Sequence, residues 1–161
     1  MIADVSQIEV QMEAIHYKIH TGEFYVASDR LTTAAVTEYL ITTGAKRAHI
    51  RPSIKTGGKV SIDYIGPVTP SVNGTAIAAQ QFNRGFANSA LTTFFRGPTY
   101  SGSTVVLVDQ SGFGTNPGSA QAGIAGNEEE VLLPPSTSYV VKLTPAASTD
   151  IVLRFEFYET N

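Results

Sequence analysis

Ile62-Asp63-Tyr64-Ile65-Gly66-Pro67, then Ser71-Val72-Asn73-Gly74-Thr75, then Phe94-Phe95-Arg96-Gly97-Pro98-Thr99, then Ser101-Gly102-Ser103-Thr104: these pieces of residues 62–107 decide the fold class. Two apolar-aromatic runs each end in Gly-Pro. Each resumes, after a few small or hydroxylated residues, through a Gly-Thr or Gly-Ser turn into a β-branched run. That is strand, corner, loop, strand, twice over. Asn73-Gly74 adds the strongest short hairpin signal, because both residues tolerate positive φ. The stretch specifies antiparallel β structure and marks no reaction.

Working outward, strands are expected at residues 60–65, 75–79, 91–96 and 104–109, with a loop at 66–73 and a polar excursion at 80–90. Phe94 and Phe95 fall on opposite faces of their strand. Upstream, strands at 14–19 and 23–27 flank a Thr21-Gly22 turn, followed by strands at 36–43 and 47–54. Pro52 lacks a ladder donor, so the strand carrying it is at an edge or bulged there. Downstream, residues 111–127 form the largest irregular region, too long for an ordinary connection in a compact domain. Strands follow at 128–133, 138–144 and 150–158. In the last, Ile151, Leu153, Phe155 and Phe157 share a core face, while Val152, Arg154, Glu156 and Tyr158 face solvent or another subunit. Eight to ten strands without a long helix argue for an all-β, antiparallel β-sandwich, jelly-roll-like in strand number and long crossover loops.

Residues 1–13 read as a short N-terminal arm, and residues 14–161 as a single β-sandwich domain. In the arm, Ile2, Val5, Ile8 and Met12 recur every three to four residues and would form one helical stripe, while Ile8, Val10 and Met12 would also suit a strand. The stripe is a candidate contact with a neighbouring subunit. Composition supports one ordinary domain. The chain has 161 residues and no cysteine, so no disulfide framework is available, and only 16% are charged. Net charge is −3 with no basic run, which disfavours nucleic acid as a partner. No apolar run reaches membrane-spanning length and the N-terminus lacks a signal-peptide pattern, so a soluble protein made in the cytoplasm is expected.

The chemical candidates are thin. His16 and His20 share a face on either a helix or a strand, but zinc needs three or four ligands and His49 is the remaining histidine. Glu128-Glu129-Glu130 with Asp109 lacks the spaced acidic loop that calcium requires. The competing reading is a solvated run with one inward Glu bonding a loop backbone. Gly112-Phe113-Gly114 is too short for a dinucleotide fingerprint. No nucleophile motif appears, and no carboxylate pair is marked by context. The chain is therefore expected to be no enzyme, with no catalytic residues, no metal and no cofactor. Arg84, framed by Phe82 and Phe86, could stack on the rings, reach backbone carbonyls across the sandwich or bind a partner's carboxylate.

One resemblance runs along nearly the whole chain from about residue 16. It is carried, in order, by His20-Thr21-Gly22-Glu23-Phe24, Tyr39-Leu40-Ile41-Thr42-Thr43 with Ala48-His49-Ile50, Asn73-Gly74-Thr75, Asn83-Arg84, Gly97-Pro98-Thr99, Gly102-Ser103-Thr104, Glu130-Val131-Leu132-Leu133 leading to Tyr139, and Phe155-Glu156-Phe157-Tyr158-Glu159. Each motif is short; specificity lies in their order. The chain resembles the head decoration, or cement, proteins of tailed bacteriophages, small structural proteins encoded beside the major capsid protein. That resemblance implies a jelly-roll-like sandwich on the outer surface of the virion capsid, bound to the major capsid protein and commonly a homotrimer. It implies no catalytic residues. Arg84, Tyr158 and the arm stripe Ile2, Val5, Ile8 and Met12 are then the interface candidates. The alternative is a carbohydrate-binding or adhesin-type β-sandwich on a virion surface, with glycan as partner and Tyr17, Tyr25, Tyr100 and Tyr158 as stacking platforms.

Overall fold

A computed structural model describes residues 15–102, 106–112, 123–125 and 130–161. The arm candidates Ile2, Val5, Ile8 and Met12 lie outside the described residues, as do Glu128 and Glu129.

Residues 15–20 form a short helix, α1, where a strand was expected. Gly22, at φ +70°, ends it. The Glu23 amide donates to the Lys18 carbonyl at 2.8 Å and the Gly22 amide to that of Ile19 at 3.2 Å. This is a Schellman cap, which needs a left-handed residue as much as a hairpin turn does. Fourteen strands follow among the described residues: β1 (Phe24–Thr33), β2 (Thr37–Thr42), β3 (Arg47–Thr56), β4 (Val60–Ile65), β5 (Val68–Val72), β6 (Thr75–Ile77), β7 (Ala79–Gln81), β8 (Thr93–Arg96), β9 (Thr99–Gly102), β10 (Val106–Gly112), β11 (Gly123–Ala125), β12 (Val131–Leu133), β13 (Ser138–Pro145) and β14 (Thr149–Thr160).

Two six-stranded antiparallel sheets face each other. Sheet A runs β11-β3-β14-β1-β7, with β12 also on β3; sheet B runs β10-β4-β13-β2-β8-β6. The chain alternates sheets from β1 to β4. Then β10 pairs with β4, β11 and β12 take the outer edge of β3, β13 enters between β2 and β4, and β14 enters between β1 and β3. That is the strand order of an eight-stranded jelly roll.

The opening stretch is the main elaboration on this frame. It lies between β4 and β10, which pair with each other, and it adds strands on the opposite edges of both sheets. Asn73-Gly74 does not make a hairpin. β5 pairs with β9 and β6 with β8, so Gly74, at φ +92°, hands the chain from a ribbon to sheet B. Ala78 then carries it from β6 in sheet B to β7 in sheet A, where one strand was expected. The expected loop at 66–73 contains β5, and β9 was not expected at all. Likewise the end of β10 and all of β11 fall within the expected irregular region.

The main core lies between the sheets. Tyr39, Ile62, Phe94 and Leu143 from sheet B meet Ile50, Leu153, Phe155 and Phe157 from sheet A. Ile151, Leu153, Phe155 and Phe157 are all at most 1% exposed, as the alternation of β14 requires. A smaller core sits outside sheet B, where the β5–β9 ribbon lays Val68 and Tyr100 over Leu40 and Val140. Phe95 joins this second core and Phe94 the first, so the two rings do take opposite faces. Pro52 behaves as its chemistry demands. Along the outer edge of β3, β12 stops at Ile50 and β11 resumes at Ile54, leaving Pro52 in the gap between them.

Candidate interaction surface

The outer face of sheet A gathers the polar groups that alternate with the core positions. Registered across β3 and β14, His49 lies beside Tyr158, Arg51 beside Glu156, Ser53 beside Arg154 and Lys55 beside Val152. On the other side, Phe24 meets Tyr158 and Arg30 meets Val152. The face thus contains Tyr158, and Arg84 reaches its β7 rim. The Arg84 guanidinium donates to Gln80 Oε1 at 2.8 Å, so it braces its own loop. It does not hold the Phe82 ring. Arg154 lies over that ring at 5.9 Å, and Phe24 meets Phe82 edge-on at 5.7 Å.

Tyr158 is tied into its own subunit. Its ring stacks on His49 with centroids 4.4 Å apart, and its hydroxyl donates to the Glu130 carboxylate at 3.1 Å. His49 Nδ1 contacts the same carboxylate, and His49 Nε2 is 3.0 Å from the Thr160 hydroxyl. Hydroxyl, imidazole and carboxylate are thereby connected in the order of a hydrolase relay. These contacts tie Glu130, just before β12, to His49 of β3 and Tyr158 of β14.

His16 and His20 do share the face of α1, with Nε2 atoms 3.1 Å apart. No cluster of three or more His, Cys, Asp or Glu side chains suited to a metal occurs among the described residues. α1 is held by the excursion after β7. Asn83 donates to the Ile19 carbonyl at 3.2 Å, and Phe86 packs so closely on Gly22 that a Cβ there would lie 2.5 Å from its ring.

Sequence reasoning missed Glu159, which continues the inward phase of β14. It is 9% exposed. Its carboxylate accepts from the Leu91 amide at 3.0 Å, the Thr92 amide at 2.6 Å and the Thr92 hydroxyl at 2.7 Å. Glu130, the described member of residues 128–130, meets side chains and not the loop backbone expected above; the Glu that bonds loop amides is Glu159. It borders a cleft of about 290 Å³ shared with Glu23, Tyr25 and Lys46. A wider open cleft of about 620 Å³ lies against Leu31, Glu38, Arg96 and Lys142. Beside it Asp29 accepts from Arg96 at 3.0 Å and from the Tyr39 hydroxyl at 3.1 Å.

Of the four tyrosines considered as glycan platforms, Tyr25 is buried, Tyr158 is stacked on His49 and Tyr100 donates its hydroxyl to Glu38 at 3.0 Å. Tyr17 alone among them is openly exposed, at 64%.

Burial, reinforced by the neighbouring carboxylates, pushes the Tyr100 and Tyr158 hydroxyls up to about 12. Burial also raises Tyr25, Tyr39 and Tyr64. A folded-state value above the unfolded value of about 10 means that the folded state holds the proton more tightly. The associated stability is whole below pH 10 and is lost as pH climbs toward 12. Ultraviolet titration of tyrosinate should therefore show a late rise coincident with unfolding, followed in parallel by circular dichroism. A full rise complete near pH 10 with the fold intact would contradict these environments.

No protein-family model and no curated protein sequence matches the chain.

Proposed function

We propose that the protein is a capsid decoration protein of a tailed bacteriophage, a non-catalytic structural module that binds the outer surface of the head. The observation that supports this reading most is the strand order. An eight-stranded jelly roll is the architecture implied by the ordered resemblance along the chain. Jelly rolls host many functions, so fold and motif order support the reading together rather than singly.

The physical role follows from linkage. A protein that binds the assembled shell and not its free subunits stabilises the shell by mass action, and many copies multiply a modest contact. Such a role suits a well-packed binder, and among the described residues two opposed sheets, a ribbon packed as a third layer and an anchored helix cap supply that packing. Its partners in this reading are the major capsid protein and further copies of itself, as a homotrimer.

Light scattering should give a mass near three times the 17.2 kDa of one chain. Purified protein should co-sediment with expanded heads of the source phage and raise their melting temperature. A monomer that leaves such heads unbound would refute the proposal. Specific hits on a glycan array, with no binding to heads, would favour the adhesin reading.

A further inference from the structure

We infer that the outer face of sheet A is a docking surface for an acidic protein surface. The chain is acidic overall, at −3, yet six of its eleven Lys and Arg residues collect here. Arg47, Arg51 and Lys55 come from β3, Arg154 from β14 and Arg30 from β1, all in the outward phase of the register. Arg84 joins them at the rim through Gln80. The face also carries Asp150, Glu156 and Glu130, of which Glu156 pairs with Arg154 at 2.7 Å and Glu130 with His49. Arg30, Arg47, Arg51, Lys55 and Arg84 make no ion pair among the described residues.

The type of cation is more telling than the number. Five of the six are arginines. The cations elsewhere are Lys18, Lys46, Lys59 and Lys142, with Arg96 alone among them. A charge coat that serves only solubility has no reason to sort Arg from Lys. An interface does, because a guanidinium is weakly hydrated and forks onto carboxylates, and protein interfaces are enriched in Arg and depleted in Lys. Apolar anchors flank the cations: Phe82 is 45% exposed and Leu132 50%. Nucleic acid fits less well, since the interleaved carboxylates would face an unbroken row of phosphates, whereas an acidic protein surface can set its own Lys or Arg against them. Under the decoration reading this face turns toward the shell, but the first test below does not depend on that reading.

Binding to immobilised poly-L-glutamate at low ionic strength, where the screening length is about 30 Å, reads the face directly. The triple variant Arg30→Glu, Lys55→Glu, Arg84→Glu should weaken binding by roughly tenfold or more, as expected for three exposed pairs turned repulsive. A control with the same net charge change, Lys46→Glu, Lys59→Glu, Lys142→Glu, should stay within about threefold of the parent. Circular dichroism melts of both variants establish that they fold. Equal loss in both variants, or a parent that binds random duplex DNA and not poly-L-glutamate, overturns the inference. Head binding is the second arm. Loss in the first variant alone supports the face as the shell contact; equal head binding by both variants removes it from that role. A parent that shows the poly-L-glutamate result but ignores heads leaves the docking face standing and refutes the decoration function.

Discussion

Replacing Phe155 with Ala is expected to cost about 3–5 kcal/mol of folding stability, the usual range for emptying a buried Phe position. Phe155 belongs to sheet A, but its ring contacts are with sheet B. It stacks on Phe94 with centroids 4.9 Å apart and 24° between planes, and it meets Tyr39 edge-on at 6.4 Å. Truncation therefore removes transfer free energy and leaves a void between two sheets whose backbones are each fixed by their own ladders. Little collapse is available to fill it. For a domain of this size the melting temperature should fall by roughly 10 °C or more. Urea unfolding followed by circular dichroism measures it. A loss below about 1.5 kcal/mol would mean that the sheets do not meet as described.

Glu159→Ala is the second large effect, and its signature is local. Two backbone amides and one hydroxyl converge on this carboxylate. Without it, donors at a buried site lose a charged acceptor, at a cost of about 2–4 kcal/mol. Exchange at the Leu91 and Thr92 amides should accelerate sharply, and the excursion from Phe82 onward should loosen with it. Glu159→Gln keeps one carbonyl acceptor but turns an NH₂ group toward the donors, so an intermediate loss is expected. Unchanged exchange at Leu91 and Thr92 in the Ala variant would remove Glu159 as the anchor of that segment.

How much of this was legible depended on how local the cause was. The phase of β14 was readable because alternating Ile, Leu and Phe against Val, Arg, Glu and Tyr has one solution. The same rule extended by two residues points to Glu159, a signal that was present but passed over at the strand end. α1 was misread because Ile15, Tyr17 and Ile19 also alternate, and because a left-handed Gly22 serves a helix cap as well as a turn. β5 and β9 were hidden by Pro70 and Gly102, which read as loop residues. Their pairing is set by a ladder between distant segments, which no local window contains. The cationic face was missed for a related reason. A search for a basic run fails when the residues come from three strands and a rim. The spacing Arg47, His49, Arg51, Lys55 nonetheless places all four on one side of β3.

The positions of β13 and β14 bear on how the chain reaches this fold. They are consecutive in the chain but do not pair with each other: β13 enters sheet B between β2 and β4, and β14 enters sheet A between β1 and β3. Phe24 finds Tyr158 and Arg47 finds Thr160, so neither sheet can be finished from neighbouring hairpins. Loops of that span must close before their contacts repay the lost entropy, which places the domain among slow folders, on the millisecond-to-second scale. Until β14 arrives, β1 and β3 have open inner edges and no shared partner. The jelly roll is therefore all-or-none: removing β13 and β14 leaves no smaller sandwich, and the time before their insertion is when misassembly competes with folding.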